Sequence, residues 1–300
     1  MFNNSKNLII AYSFGSYQRF IPLFIASVFN TFKKTDVLIV CPDKIEKKII
    51  NKINRMNLDG NYIILECYSP FNFDYYEVEH IISKNQFYRF YRYMIEEKYF
   101  TGYSNAYIGD IDICYLRNLN LGNSSLFERE KGITNKSQLS FNNILRKKYN
   151  SKFTYRTGGL HFINVKEYFN VYGDRIKNYK KDKYKFLDLV GIVKNYIGDE
   201  EYIRDEHLLF AMLIEESEIN KLDKLLIKKK REFYGLHLGP LRNKNYNIDS
   251  NYLFGKKISY RRQKNLIHEI ILLIINNRLF FSLSKIELLR LLFYYFRIII

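Results

Sequence analysis

Tryptophan is absent from this 300-residue chain, and cysteine nearly so. The three cysteines, Cys41, Cys67 and Cys114, are odd in number and scattered. They form neither a disulfide framework nor a zinc-ligand spacing, which predicts a reducing, cytoplasmic setting. Any uninterrupted apolar run of about 18 residues is missing too, so no classical membrane span is expected. The N-terminus MFNNSKNLIIAYS passes almost directly into a short strand-like run, without the charged and long apolar segments of a signal peptide. Internal repeats and low-complexity linkers are lacking. The last shortage is of acid: 31 Asp and Glu face 48 Lys and Arg, a formal charge of +17. Such an excess suits nucleic acid, an anionic membrane surface or a phosphorylated substrate.

What is present is 47% hydrophobic residues, enough for a sizeable core. Residues 7–13 (NLIIAYS) predict a buried strand, followed by the loop SFGSYQ. Residues 19–32 are apolar on a helical period, with Pro22 in the first turn, where proline is tolerated. TDVLIVCPD gives a second buried strand and NYIILECYSP a third. Between them, KIEKKIINKINRMN is an amphipathic helix with Ile45, Ile49, Ile50 and Ile53 on one face. Continuous apolar strands alternating with helices predict a parallel sheet with helices on both sides, an α/β fold. Residues 79–98 read as an aromatic-rich helix burying Phe87, Phe90, Tyr91 and Met94. Its arginines, Arg89 and Arg92, alternate with aromatics in a way that also fits base stacking on single-stranded nucleic acid. The helical burial pattern is the preferred reading, and no nucleic-acid partner is expected. Downstream, FTYRTGGLHFINV places a Gly-Gly turn before a strand, and the lysine-rich 177–198 reads as a solvated insertion. In RDEHLLFAML, Asp205 stands as a helix N-cap, with Leu208, Leu209, Met212 and Leu213 as the buried face.

The stretch NAYIGDIDICYL, residues 105–116, carries the chemistry. Along a strand, Asp110 and Asp112 project to one face, where two like charges repel unless a cation lies between them. With 13 Asp in the chain, chance alone supplies roughly 0.6 such pairs, so the pair gains weight only from its place. That place is the carboxyl end of a central strand, where open α/β sheets bind ligands. Carboxylate oxygens there suit a hard divalent cation, Mn²⁺ or Mg²⁺.

Taken in order, six stretches resemble the GT-A glycosyltransferases, most closely the retaining enzymes of glycosyltransferase family 8, with echoes of family 6. They are AYSFGSY, YRFYRYMI, YIGDIDI, TGGLHFINV, RDEHLLF and GLHLGPLR, and the resemblance covers roughly residues 7–244. The resemblance implies a Rossmann-like, nucleotide-sugar-binding GT-A domain over residues 1–250. It implies transfer of a hexose from a nucleotide-sugar, UDP-linked by that resemblance, to a glycan or glycolipid acceptor such as bacterial lipooligosaccharide or capsule. By resemblance, Asp110, Asp112 and His237 hold the metal, with Asp110 shared with the ribose. Tyr12, Ser13 and Tyr17 meet the nucleobase and ribose, and one of Arg89 and Arg92 joins the donor site. Gly158 and Gly159 let the backbone approach the sugar, Arg242 or Lys244 clamps the leaving diphosphate, and Asp205 with Glu206 faces the reacting sugar. Departures are Gly109 for the usual Leu, Glu206 for Gln and His207 for a second Asp.

Two other classes compete. A haloacid-dehalogenase-type phosphatase also uses a D-x-D pair, but after its first strand and with Thr or Val where Cys114 stands here. A basic nucleic-acid binder would explain the charge but not the α/β pattern. The segment 251–300 is a basic, apolar helical tail, with nine lysines or arginines against Glu269 and Glu287, an excess of +7. Spanning would put its cations in hydrocarbon, so the tail is expected to lie on an anionic membrane surface, at the inner face of the cytoplasmic membrane. The alternative is a helical pair packed on the catalytic domain.

Overall fold

The computed structural model describes residues 6–56, 58–116, 146–147, 153–154, 161–197, 203–213, 235–238 and 260–297. Its centre is a five-stranded sheet. The strands are β1 (Lys6–Tyr12), β2 (Thr35–Val40), β3 (Tyr62–Leu65), β4 (Tyr103–Asp110) and, after short strands at Ile113–Tyr115 (β5), Arg146–Lys147 (β6) and Phe153–Thr154 (β7), β8 (His161–Asn164). The spatial order is β3-β2-β1-β4-β8, with only β8 antiparallel to its neighbour. A separate two-stranded ladder pairs β5 with β9 (Gly235–His237), and another pairs β6 with β7.

Alternation along the central strands sorts their side chains into two cores. Ile9, Ala11, Val37, Ile39 and Tyr107 face one layer, while Leu8, Ile10, Tyr12, Leu38, Val40, Ala106 and Ile108 face the other. Because both faces are covered, these strands are apolar at nearly every position. The first layer is built from α1 (Ile21–Thr31), α2 (Lys47–Asn54) and the tail helices α7 (Tyr260–Asn276) and α8 (Lys285–Arg297). The second is built from α3 (Lys84–Phe90), α4 (Val165–Lys181), α5 (Lys183–Ile197) and α6 (Asp205–Leu213). Pro22 lies in the first turn of α1, where its missing N–H costs nothing.

Four expectations need correction. The helix over 79–98 is shorter: Ser83 takes extended dihedrals, α3 runs only from Lys84 to Phe90, and a 3₁₀ turn at Tyr91–Tyr93 follows. The stretch 177–198 is no solvated insertion. It is the end of α4 and the whole of α5, whose Phe186, Leu189, Val190 and Val193 recur at i, i+3, i+4 and i+7 and are buried. Third, β4 ends at Asp110, so Asp112 is not on the strand but in the tight connection before β5. Finally, the tail is not a free amphipathic helix. Leu266, Ile270, Ile274 and Leu291 are buried in the same core as α1. No described helix is long and apolar enough to cross a membrane.

Candidate active site at the switch point of the sheet

Strand order places a crevice. From β1 the chain adds β2 and then β3 on one side, but β4 joins β1 on the other. The connections after β1 and β4 therefore leave in opposite directions, and ligands of open α/β sheets bind at that switch point, beyond the carboxyl ends of the strands. Tyr12 and Asp110 are register partners there, the last residues of β1 and β4.

From β1 come Tyr12 and Ser13. Both are buried, and neither hydroxyl has a hydrogen-bond partner among the described residues. A buried hydroxyl without a partner is costly, and a ligand's oxygens would relieve it. Burial pushes the Tyr12 phenol far above its ordinary pKa, with Tyr91 and Asp43 adding to the effect, so it stays a neutral donor. The following loop is held in place. Gly15, at φ +51°, donates its N–H to Asp43 at 3.1 Å. Gln18 donates to the Lys44 carbonyl and accepts from the Glu46 N–H. Phe14 and Tyr17 stack at 6.4 Å with a 17° interplanar angle, and Phe14 also meets Tyr12 and Tyr88. Phe14 and Tyr88 were missed in the sequence; an aromatic beside Ser13 was the available signal.

From the end of β4 and the connection after it come the carboxylates. Asp110 is part-exposed, while Asp112 is 5% exposed. Arg89 and Arg92 stand in different surroundings. Arg89 is half-buried, whereas the Arg92 guanidinium is buried and spans two carboxylates, Nη1 to Asp110 Oδ1 at 2.6 Å and Nη2 to Asp205 Oδ2 at 2.7 Å. Burial alone would lower its pKa, but Tyr93, Asp205 and Asp110 outweigh that and raise it well above the ordinary arginine value. Its two amino groups are thereby engaged by Asp110 and Asp205.

Asp205, expected as an N-cap, is the first residue of α6, and its carboxylate turns to Arg92 instead. Its N–H is met by Gln86 Oε1 at 2.9 Å, and the preceding Arg204 N–H donates to His207 Nδ1 at 3.2 Å. Leu208, Leu209 and Met212 are buried as expected. Glu206 follows Asp205 in the same first turn, but its side chain lies outside the described residues.

His237 arrives by backbone pairing. β9 lies antiparallel to β5 with Ile113 opposite His237, and the Leu238 N–H donates to the Asp112 carbonyl at 2.7 Å. The three candidate metal ligands, Asp110, Asp112 and His237, are thereby brought to one corner of the sheet. The His237 side chain lies outside the described residues, and no group of three or more His, Cys, Asp or Glu is poised to hold a metal among those described. The donor chemistry of the carboxylate pair nevertheless fits a hard divalent cation. Gly158, Gly159, Arg242 and Lys244 lie outside the described residues.

No family model matches the chain, and no curated protein does. Solved structures with a similar chain course include the galactosyltransferase LgtC in complex with donor and acceptor sugar analogues, at 15% identity and a TM-score of 0.40, covering 69% of this chain and 70% of that one. The glycosyltransferase GlyE of Streptococcus pneumoniae TIGR4 matches at 12% identity and a TM-score of 0.37, over 70% of this chain and 43% of that one. Mouse xyloside xylosyltransferase 1 matches at 10% identity and a TM-score of 0.39, over 69% and 81%. At such identities and overlays the likeness is one of chain course, and the chemistry of the crevice is read from its own residues.

Proposed function

We propose that the protein is a metal-dependent glycosyltransferase of the GT-A type, moving a hexose from a UDP-sugar to a glycan or glycolipid acceptor of a bacterial surface, with retention of configuration. One observation carries this reading. The switch point of the sheet holds buried hydroxyls at the end of β1 opposite carboxylates at the end of β4, with aromatic faces beside them. A nucleotide-sugar needs these three features: a surface for its base, donors for its ribose or diphosphate, and carboxylates for a cation. Asp110 and Asp112 would hold Mn²⁺ or Mg²⁺, which would supply positive charge to offset that of a leaving diphosphate.

The chain's own residues do the rest. Phe14 and Tyr17 offer a stacked aromatic edge to the base. Tyr12 and Ser13 donate hydrogen bonds, and Tyr12 cannot titrate at neutral pH. Arg92 fixes Asp110 from behind, so that carboxylate meets the ligand in one orientation. Asp205 is spent on Arg92, and the resemblance assigns Glu206, the next residue of α6, to the reacting sugar. The resemblance described above supplies the retaining outcome and the acceptor class. A phosphatase of the haloacid-dehalogenase type is disfavoured, because its nucleophile would be Asp110, whose Oδ1 is clamped by Arg92. A base-stacking role for Arg92 is disfavoured by its burial.

The test is Asp112→Asn. It is expected to abolish transfer from a UDP-sugar and the Mn²⁺ dependence of donor hydrolysis, with an unchanged circular dichroism spectrum. Full activity of the variant in EDTA-treated buffer would overturn the assignment.

A further inference from the structure

The tail helices spend one apolar face on the domain and show a second to solvent. Leu272, Ile275, Phe280, Phe281, Ile286 and Leu289 are exposed, at 38–65% of their surface. They are six of the eleven large apolar side chains exposed among the described residues, all within 272–289. Single exposed apolar residues are ordinary, whereas such a concentration marks an interaction surface. Cations border it. Arg278 and Lys285 are exposed in the same stretch. Lys52 and Arg55, at the end of α2, lie near Arg278: partial desolvation and then the charges of Arg278 and Arg55 hold the Lys52 ammonium below its ordinary pKa. None of these four cations has an ion-pair partner among the described residues.

We propose that this strip seats the protein on an anionic lipid surface, with Phe280, Phe281, Ile286 and Leu289 entering the interface and Lys52, Arg55, Arg278 and Lys285 meeting the headgroups. The charges favour lipid over a second copy, because a two-fold contact across this patch would set like cations against one another. The strip also lies beside the mouth of the crevice. The 3₁₀ turn Phe280–Ser282 packs on the 3₁₀ turn Gly15–Phe20 that follows β1, and Arg19 of that turn is paired with Glu287 of α8 at 2.8 Å. Docking therefore brings the first loop of the candidate active site to the lipid surface. The proposal stands whatever reaction the crevice carries.

The test is flotation of the full chain with phosphatidylcholine vesicles, with and without phosphatidylserine. Binding is expected only to the anionic vesicles. Each cation near such a surface contributes about 1 kcal/mol, or a factor of about five, so Arg55→Gln/Lys285→Gln should weaken binding about 25-fold. Phe280→Ser/Phe281→Ser should abolish it; Ile286→Ser/Leu289→Ser, at the more exposed positions, repeats the test if the first variant melts early. Donor hydrolysis in the absence of lipid should be unchanged in all three. Flotation that ignores these substitutions, or that needs no anionic lipid, would overturn the proposal. So would a sedimentation dimer that the apolar variants dissolve and that binds no vesicle.

Discussion

Arg92→Met should be among the most destabilising single changes in this chain. The guanidinium is 7% exposed and holds one oxygen each of Asp110 and Asp205, the latter 5% exposed. Methionine fills similar volume but leaves two carboxylates facing each other, one of them buried. Breaking a buried pair by removing one partner costs about 3–5 kcal/mol, because the remaining charge stays desolvated. Losing a single charge-assisted bond, as in Asp205→Asn, costs about 1.5–3 kcal/mol. Arg92→Lys should fall between, since an ammonium is a point charge that cannot span both carboxylates as a planar fork does. The decisive measurement is a double-mutant cycle on Arg92→Met and Asp205→Leu by urea unfolding, with m-values checked for constancy. Once the arginine is gone, removing the carboxylate should relieve the stranded charge, so the double variant should be more stable than Arg92→Met by at least about 1 kcal/mol. Effects that add within about 0.5 kcal/mol would refute the reasoning, because independent sites behave that way.

The second ion pair gives a parallel expectation. Glu287 closes a capping box with Ser284, accepting its N–H at 2.7 Å, and also takes Arg19 at 2.8 and 3.0 Å with no side-chain exposure of its own. Arg19→Met should therefore lower the unfolding midpoint more than Arg19→Met/Glu287→Gln does, and the reverse order would show the pair to be inert. Alkali should act through tyrosine: burial pushes Tyr91 and Tyr103 up to about 12, Tyr103 also through its hydrogen bond to Asp36. An acid whose pKa is raised on folding stabilises the native state fully below its unfolded pKa of 10.0, and the gain is lost as pH climbs through 12. Stability to urea should thus fall steadily above pH 10, with the last tyrosinate absorbance appearing together with unfolding; complete ionisation in a native-like spectrum would contradict this. Deleting 256–300 should bare the α1 face of the core and produce an aggregating or unfolded protein, and a soluble, cooperatively melting remainder would show the tail to be dispensable to the fold.

The parts of this fold that could be read from sequence are those that depend on near neighbours. β1, β2 and β4 announce themselves because burial on both faces makes their central positions apolar, and the Asp110 carboxylate stands where such a strand must end. Arg89 and Arg92 could not be separated, because on a continuous helix residues three apart share a face. Only the change to a 3₁₀ turn after Phe90 turns Arg92 inward. In α5 the lysines at 183, 185 and 194 hid a regular apolar stripe, since average polarity says nothing of which face a charge occupies. The partners that define the site are invisible locally: Arg92 and Asp205 are 113 positions apart, and Arg19 and Glu287 are 268 apart. An amphipathic tail reads alike for a core and for a lipid surface, as both select the same residues.

Those two distant pairs brace the crevice from opposite sides of the sheet. Arg92 sits in the layer of α3 and α6, between Tyr91 and Tyr93 of that core, and fixes the end of β4. Arg19 sits beside Phe20 in the layer of α1 and the tail, and ties the loop after β1 to α8. Buried ion pairs are poor sources of net stability, since apolar residues of the same volume would often serve better. What they supply here is position: each guanidinium takes its carboxylate oxygens at 2.6–3.0 Å, distances that leave little room for either strand end to shift. The arrangement makes the two halves of the crevice answer to different parts of the chain. The carboxylate half is tied to α6, whose first residue is Asp205, so the end of β4 and the start of α6 are joined through Arg92. The hydroxyl half is tied to the tail, because the 3₁₀ turn that follows Ser13 is held to α8 by the Arg19–Glu287 pair.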